Sequence, residues 1–187
     1  MRRRTILLAI PLALAGCTTG TNVVSQTNAD SRYVAGDGKT IVYPVAERKD
    51  APAVRGSTVD GSNLDLASLK GQVVVLNFWA SWCPPCRLES TDLETVYKST
   101  KDSGVTFLGV NSRDEKDSAK SFADSRLTYP SLFDPAGKVA LSFADVPPTA
   151  LPCTLIIDRV GKIAVVIRNT VRTDTFTPLV QQIAAEK

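Results

Sequence analysis

The chain contains two cysteines separated by two prolines, and thiols at this spacing can form and break a disulfide. Cys83 and Cys86 follow an apolar run, Val73 to Phe78, that is typical of a strand buried on both faces, and they precede a segment with helical character. Only a thiolate attacks a disulfide, and the free N–H groups at the start of a helix stabilise an anion. We therefore predict that Cys83 is the exposed nucleophile, with a lowered pKa, and that Cys86 displaces the mixed disulfide.

The two prolines between the cysteines limit the stabilisation of that thiolate. Pro84 and Pro85 suit the first turn of a helix, but they carry no backbone N–H that could reach the sulfur of Cys83. We expect a modest lowering of the Cys83 pKa and a reducing rather than a strongly oxidising couple. The redox-active group is the Cys83–Cys86 disulfide itself, and we expect no bound cofactor and no metal.

A carboxyl group falls on the same side of the predicted helix as Cys86. Glu89 stands in a row with Leu93 and Val96, which are core-type residues. Burial would raise the pKa of Glu89 and let it move protons during exchange, whereas a solvated Glu89 would only favour the start of the helix. We predict Cys83, Cys86 and Glu89 as the catalytic residues.

The start of the chain has the features of an export signal. Three arginines are followed by a short apolar run, Thr5 to Leu14, and then by Ala15-Gly16-Cys17. This order resembles the lipobox of bacterial lipoproteins, in which a signal peptide, here residues 1–16, is removed and the cysteine that follows is acylated. An ordinary secretory signal with a chance cysteine is the alternative. We expect an extracytoplasmic protein that is lipid-anchored to a bacterial membrane through Cys17.

The composition excludes several classes of function. The chain has 22 Lys and Arg against 19 Asp and Glu, and removal of the three signal arginines makes the two counts equal, so no nucleic-acid partner is expected. Histidine is absent, which removes Cys–His and Ser–His nucleophile pairs and histidine-containing zinc sites. Only three cysteines remain besides Cys17, and one pair with an odd thiol is not a structural disulfide framework.

The distribution of apolar residues predicts one domain behind a tether. Residues 17–50 are predicted to form the acylated cysteine, a flexible polar spacer and a small hairpin between Tyr33 and Tyr43, and residues 51–187 a single α/β domain. In that domain a β-α-β unit is followed by a β-β-α unit. This order predicts a thioredoxin-like fold, with a mixed central sheet flanked by helices and the hairpin as an N-terminal extension.

The segment around the cysteines resembles a known family. Residues 77–89, Asn-Phe-Trp-Ala-Ser-Trp-Cys-Pro-Pro-Cys-Arg-Leu-Glu, are similar to the active-site stretch of the TlpA/ResA-like thiol–disulfide oxidoreductases, and residues 58–61 and 152–158 continue the likeness. The resemblance implies an enzyme that exchanges electrons with protein thiols and disulfides, apocytochrome c thiols being the best-known targets. It also implies a membrane electron donor and an acid–base role for Glu89.

The same resemblance marks a substrate-binding region. Leu151-Pro152 corresponds to the cis-proline segment of the family, which faces the two cysteines and lets a partner peptide add as an extended strand along the exposed backbone of Leu151. Trp82 is predicted to shield the sulfurs and contact the substrate. Cys153 departs from the family, and it is either a small buried hydrophobe or an accessory thiol near the active pair.

Two other functions stay open from the sequence. A peroxiredoxin-like peroxidase shares the broader fold, but neither Cys83 nor Cys153 follows the Pro-x-x-x-Thr-x-x-Cys spacing that such an enzyme needs. A metal carrier could hold a soft ion such as Cu(I) between Cys83 and Cys86 on thiolates alone. We expect the protein to be a monomer.

Overall fold

The computed structural model describes residues 36–143 and 150–186, which form a mixed sheet with helices on both faces. The strands are β1 (Thr40–Val42), β2 (Arg55–Ser57), β3 (Asn63–Asp65), β4 (Val73–Trp79), β5 (Val105–Ser112), β6 (Ser131–Asp134), β7 (Cys153–Ile157) and β8 (Ile163–Ile167). The helices are α1 (Pro84–Thr100), α2 (Lys116–Arg126), α3 (Lys138–Ser142) and α4 (Thr173–Ala185). Six strands form one sheet in the order β1-β8-β7-β4-β5-β6, and β2 pairs with β3 in a separate hairpin.

The strand before the cysteines lies at the centre of the sheet. All seven residues of β4 are buried, as its continuous apolar run predicts. β4 pairs parallel with β5 on one side and antiparallel with β7 on the other. The carboxyl end of β4, the start of β7 and the start of α1 therefore meet at one edge of the sheet.

The helices cover the two faces of this sheet. α1 and α4 bury Leu93 and Phe176 in one apolar cluster with Val75, whereas α2 and α3 contribute Phe122 and Ala140 to a second cluster. Successive side chains of a strand point to opposite faces, and the β4 side chains divide between the two clusters accordingly. The predicted α/β, thioredoxin-like architecture is confirmed.

The N-terminal segment adds an edge strand to the central sheet, because β1 pairs antiparallel with β8. The predicted hairpin between Tyr33 and Tyr43 stays a prediction, since its first strand lies outside the described residues. A side chain at Gly36 would collide with the carbonyl oxygen of Arg168, so this glycine permits close approach to the end of β8.

An ion cluster fixes the segment that follows β1. Arg48 is 8% exposed, and its guanidinium donates to Asp158 at 3.0 Å and to Glu186 at 2.8 Å. Asp158 follows β7 and Glu186 follows α4, so one side chain joins three distant parts of the chain.

Several predictions concern residues that the structure does not describe. The signal peptide at 1–16, the acylation site at Cys17, the polar spacer and the first strand of the expected hairpin lie outside the described residues. Within residues 36–143 and 150–186, none of the helices has the length and hydropathy needed to cross a bilayer.

Candidate active site

The two cysteines form a disulfide at the start of α1. Their sulfur atoms are 2.07 Å apart and their Cα atoms 5.3 Å apart. Cys83 is the N-cap of the helix, Pro84 and Pro85 occupy its first two positions, and the N–H of Cys86 donates to the Cys83 sulfur at 3.3 Å. The first backbone donor of this helix is therefore directed at the sulfur on which we expect negative charge to develop.

The exposure of Cys83 differs from the prediction. We expected an exposed nucleophile, but Cys83 is 0% exposed and Cys86 2% exposed in this oxidised structure. Both belong to the apolar cluster that includes Ala80 and Leu151, because the bond to Cys86 holds the Cys83 sulfur against the interior. The exposed ring beside the disulfide is that of Pro84.

The loop that carries Trp82 is fixed by the segment after β5. The indole Nε1–H of Trp82 donates to the carbonyl oxygen of Arg113 at 3.0 Å, and the ring is half-buried. Arg113 has a φ of 53°, a left-handed conformation that non-glycine residues seldom adopt. Trp82 packs against the apolar cluster that contains both cysteines, and its shielding of the sulfurs and its contact with a substrate stay predictions.

Sequence reasoning missed Asp114, which orders the same loop. Its buried carboxylate accepts hydrogen bonds from the backbone N–H of Ser81 at 2.6 Å, from the Ser81 hydroxyl at 2.9 Å and from the Asn111 amide at 2.9 Å. Asp114 lies two residues before the start of α2 at Lys116. An acidic residue just before a helix is a capping signal, but its partner across the site has no local signature.

Glu89 is buried beneath the disulfide on α1. It is 1% exposed, its Oε1 accepts from the Asn77 amide at 2.9 Å, and its Oε2 accepts from the backbone N–H of Val171 at 3.0 Å. Burial raises the pKa of Glu89 to about 8, the two hydrogen bonds oppose that rise, and the charge of Asp92 adds to it. Of the two placements considered for Glu89, buried or solvated, the structure shows the buried one. Its acid–base role stays a prediction.

The segment before β7 contains the expected cis peptide. The bond between Leu151 and Pro152 is cis, and β7 begins at the next residue. Leu151 is 2% exposed, however, so its backbone is covered in this structure, contrary to the accessible edge that we predicted. Substrate binding by Leu151 and Pro152 therefore stays a prediction.

Cys153 lies on the face of the sheet opposite to Glu89. It pairs with Phe78, and both side chains belong to the cluster with α2 and α3, whereas the neighbouring Thr154 reaches the Glu89 side through Asn77. Cys153 is fully buried and free, and burial raises its pKa to about 12. These features fit a small buried hydrophobe.

Across the described residues, no three Cys, Asp or Glu side chains cluster closely enough to hold a metal ion.

Comparison with known proteins agrees with this geometry. Residues 48–166 match the AhpC/TSA family. Thiol-disulfide oxidoreductase ResA of Bacillus subtilis (strain 168) is 35% identical to this chain over 127 residues, which cover 67% of this chain and 69% of that relative. The chain belongs to the AhpC/TSA family as a ResA-like thiol–disulfide oxidoreductase.

Other ResA-like proteins extend the likeness. Thiol:disulfide interchange protein HelX of Rhodobacter capsulatus is 33% identical over 143 residues, with 73% of this chain and 76% of HelX covered. The crystal structure of a secreted thiol-disulfide isomerase from Corynebacterium glutamicum superposes with a TM-score of 0.76 at 33% identity, covering 82% of this chain and 97% of that one. The enzyme class predicted from Cys83 and Cys86 is therefore confirmed.

Proposed function

We propose that this oxidoreductase is an extracytoplasmic, lipid-anchored reductant of protein disulfides, with the cysteine pairs of apocytochrome c as a target class. The observation that carries the reducing direction is the donor set of the Cys83 sulfur. Pro84 and Pro85 have no N–H, so the helix start offers the sulfur the single donor of Cys86. Weak stabilisation of the Cys83 thiolate disfavours the reduced pair relative to its disulfide, and such a pair gives up electrons readily.

The reaction follows from the order of the two thiols along α1. The Cys83 thiolate attacks one sulfur of a target cystine, a mixed disulfide forms, and the departing target thiolate takes a proton. Cys86 then loses its proton and attacks the Cys83 sulfur, which releases the second target thiol. The target gains two electrons and two protons, and the enzyme is left with the Cys83–Cys86 disulfide that the structure contains. A membrane dithiol donor has to reduce this disulfide before the next cycle.

Glu89 is suited to the proton transfers of this cycle. Its raised pKa, about 8, lies near neutral pH, so the carboxyl group exchanges a proton under ordinary conditions. It also lies three residues after Cys86, which places the two side chains on one face of the helix. We propose that Glu89 accepts the proton of Cys86 as this thiol attacks the mixed disulfide.

The reduction potential of the couple tests the proposed direction. We expect equilibration with a glutathione redox buffer to give a value near that of thioredoxin, about −270 mV. The Cys153→Ala variant should give the same value, because the buried Cys153 takes no part in the couple. A value near roughly −120 mV would show an oxidant and would contradict the proposal.

The proposed lipid anchor rests on Cys17 and the residues before it. Acylation of one cysteine with several chains gives stable membrane attachment, which a single chain does not. The full chain produced in a bacterial host should sediment with membranes and incorporate labelled fatty acid, and Cys17→Ser should do neither. Release of the unmodified parent chain as a soluble exported protein would refute the anchor while leaving the redox function intact.

A further inference from the structure

The buried side-chain amide of Asn77 links Glu89 to the central sheet. Asn77 is the fifth residue of β4 and is 2% exposed, and its register partner in β7 is Thr154, which is 0% exposed. The Asn77 Nδ2 group donates to Glu89 Oε1 at 2.9 Å and to the Thr154 hydroxyl oxygen at 3.0 Å. One side chain therefore links the carboxyl group of α1 to a hydroxyl group in the neighbouring strand.

The observed arrangement satisfies the ionised carboxylate but not the protonated carboxyl group. Both Glu89 oxygens face donors, the amide of Asn77 and the backbone N–H of Val171. A protonated Glu89 has an O–H that needs an acceptor, and a buried donor without one destabilises the protein. The N–H of Val171 belongs to the backbone and cannot become an acceptor.

The amide of Asn77 can supply that acceptor. An Asn side chain carries two N–H donors and a carbonyl oxygen on one planar group, and a half-turn about its last torsion exchanges them. After such a turn Oδ1 faces both Glu89 and Thr154. It then accepts from the acid O–H and from the Thr154 hydroxyl, which donates as readily as it accepts.

We propose that Asn77 is a positioning residue for the redox reaction: by turning its amide, with Thr154 as its second partner, it satisfies the Glu89 carboxyl group in both protonation states. This inference rests on the proposed acid–base role of Glu89 and deepens it. A proton can then enter and leave the dry interior while the Glu89 carboxyl group keeps a hydrogen-bond partner in both states.

The other ionisable groups around Glu89 do not take the place of Asn77 as a hydrogen-bond partner of its carboxyl group. The side chain of Asp92 on α1 accepts from Thr173 at the start of α4, and the hydroxyl group of Tyr129 is buried without a hydrogen-bond partner. Burial is the main cause of the raised pKa values of Glu89 and Tyr129, and the charge of Asp92 adds to the rise for Glu89 as the charge of Glu89 does for Tyr129. Cys153 lies on the opposite face, Cys83 and Cys86 are joined in the disulfide, and the exposed Arg172 faces Asp92 from the loop before α4.

The first test is a titration of the oxidised full chain by NMR. The side-chain amide resonances of Asn77 should shift with pH at the same midpoint as the Glu89 carboxyl carbon, and this shift should disappear in Glu89→Gln. Asn77 resonances that stay constant through the Glu89 titration would overturn the proposal. This experiment uses the parent protein, so it does not depend on the folding of an Asn77 variant.

The second test uses Asn77→Leu, which keeps similar volume but has neither donor nor acceptor. The variant loses a hydrogen bond to the anion and a weaker one to the neutral acid, so the Glu89 pKa should rise by about 1. Thr100→Val is the matched control, since Thr100 is also buried and its hydroxyl bonds to Val96 in α1, away from Glu89. An unchanged Glu89 pKa in Asn77→Leu, or an equal rise in the control, would contradict the assignment.

A third measurement separates this inference from the proposed function. The pH profile of Cys83 alkylation in the reduced protein should change in Asn77→Leu, but the same substitution should have no further effect in a Glu89→Gln background. An equal change in both backgrounds would mean that Asn77 acts only through structure, which would overturn the inference. If Glu89→Gln alone leaves the profile unchanged, the acid–base role of Glu89 fails, and the NMR titration still decides the role of Asn77.

Discussion

A buried acid such as Glu89 makes the stability of the fold depend on pH. Its pKa is raised from 4.5 to about 8, so the folded chain holds a proton that the unfolded chain releases between these two values. The stabilisation is therefore fully present below the unfolded pKa and is lost as pH rises towards 8. The pKa values of Asp37, Asp60, Asp92 and Glu94 are lowered instead, so their contributions are lost only as the pH falls into the acidic range.

Glu89→Gln should remove most of this pH dependence. We expect the free energy of unfolding of the oxidised parent to fall by roughly 3 to 4 kcal/mol between pH 5 and pH 8 because of Glu89, and that of the variant to change much less. Urea unfolding at several pH values measures both curves. Glu115→Gln, at an exposed carboxyl group, is the control and should follow the parent. Parallel curves for the parent and Glu89→Gln would contradict the burial of an ionisable group at this position.

At the scale of single residues, the local sequence identified the reactive side chains but not the residues that pack against them or bond to them. The spacing of Cys83 and Cys86 and the helical row containing Glu89 identified these residues, because both patterns lie within one turn or two of a helix. Thr154 and Val171 were missed as partners, because strand register and a distant loop bring them to the site. The burial of Cys83 also escaped prediction, since it depends on packing in the oxidised state.

At the scale of elements, α1 and α4 are joined by a hydrogen-bonded cap. The carboxylate of Asp92 in α1 accepts from the backbone N–H of Thr173 at 2.9 Å and from its hydroxyl at 2.6 Å. Arg172, the N-cap of α4, provides no side-chain cap of its own. Asp92 thus satisfies a free donor of another helix and places a negative charge at its positive end.

Replacement of Asp92 should weaken this joint between α1 and α4. We expect Asp92→Ala to lose about 1 to 2 kcal/mol of unfolding free energy and Asp92→Asn to lose less, because the amide oxygen still accepts. Urea unfolding near neutral pH gives both values, and the reduction potential should stay at that of the parent. A stability of Asp92→Ala equal to the parent would show that the cap contributes nothing.

The elements themselves were predicted well where they carry a continuous pattern. The continuous apolar run from Val73 predicted β4, and the β-α-β and β-β-α order predicted the sheet and helices around it. The exception is β1, whose pairing with β8 was not predicted. Its partner is β8, far along the chain, and nothing in the local sequence indicates pairing at such a separation.

At the scale of the whole molecule, an ion cluster and the disulfide lie at opposite ends of the sheet. Arg48 bonds to Asp158 after β7 and to Glu186 after α4. The disulfide lies at the other end, where β4 leads into α1. The start of β1 pairs with the end of β8 at this same end, so the N-terminal segment approaches the domain on the side of the cysteines.

The mechanism depends on Cys83 being the sulfur that attacks the target disulfide, and trapping experiments identify this sulfur. Cys86→Ser should accumulate a mixed disulfide with a cystine-containing peptide, and mass spectrometry of the digested adduct should place the peptide on Cys83. Cys83→Ser should trap none, and the double variant should not exchange. A peptide attached to Cys153, or exchange by the double variant at the rate of the parent, would contradict the account.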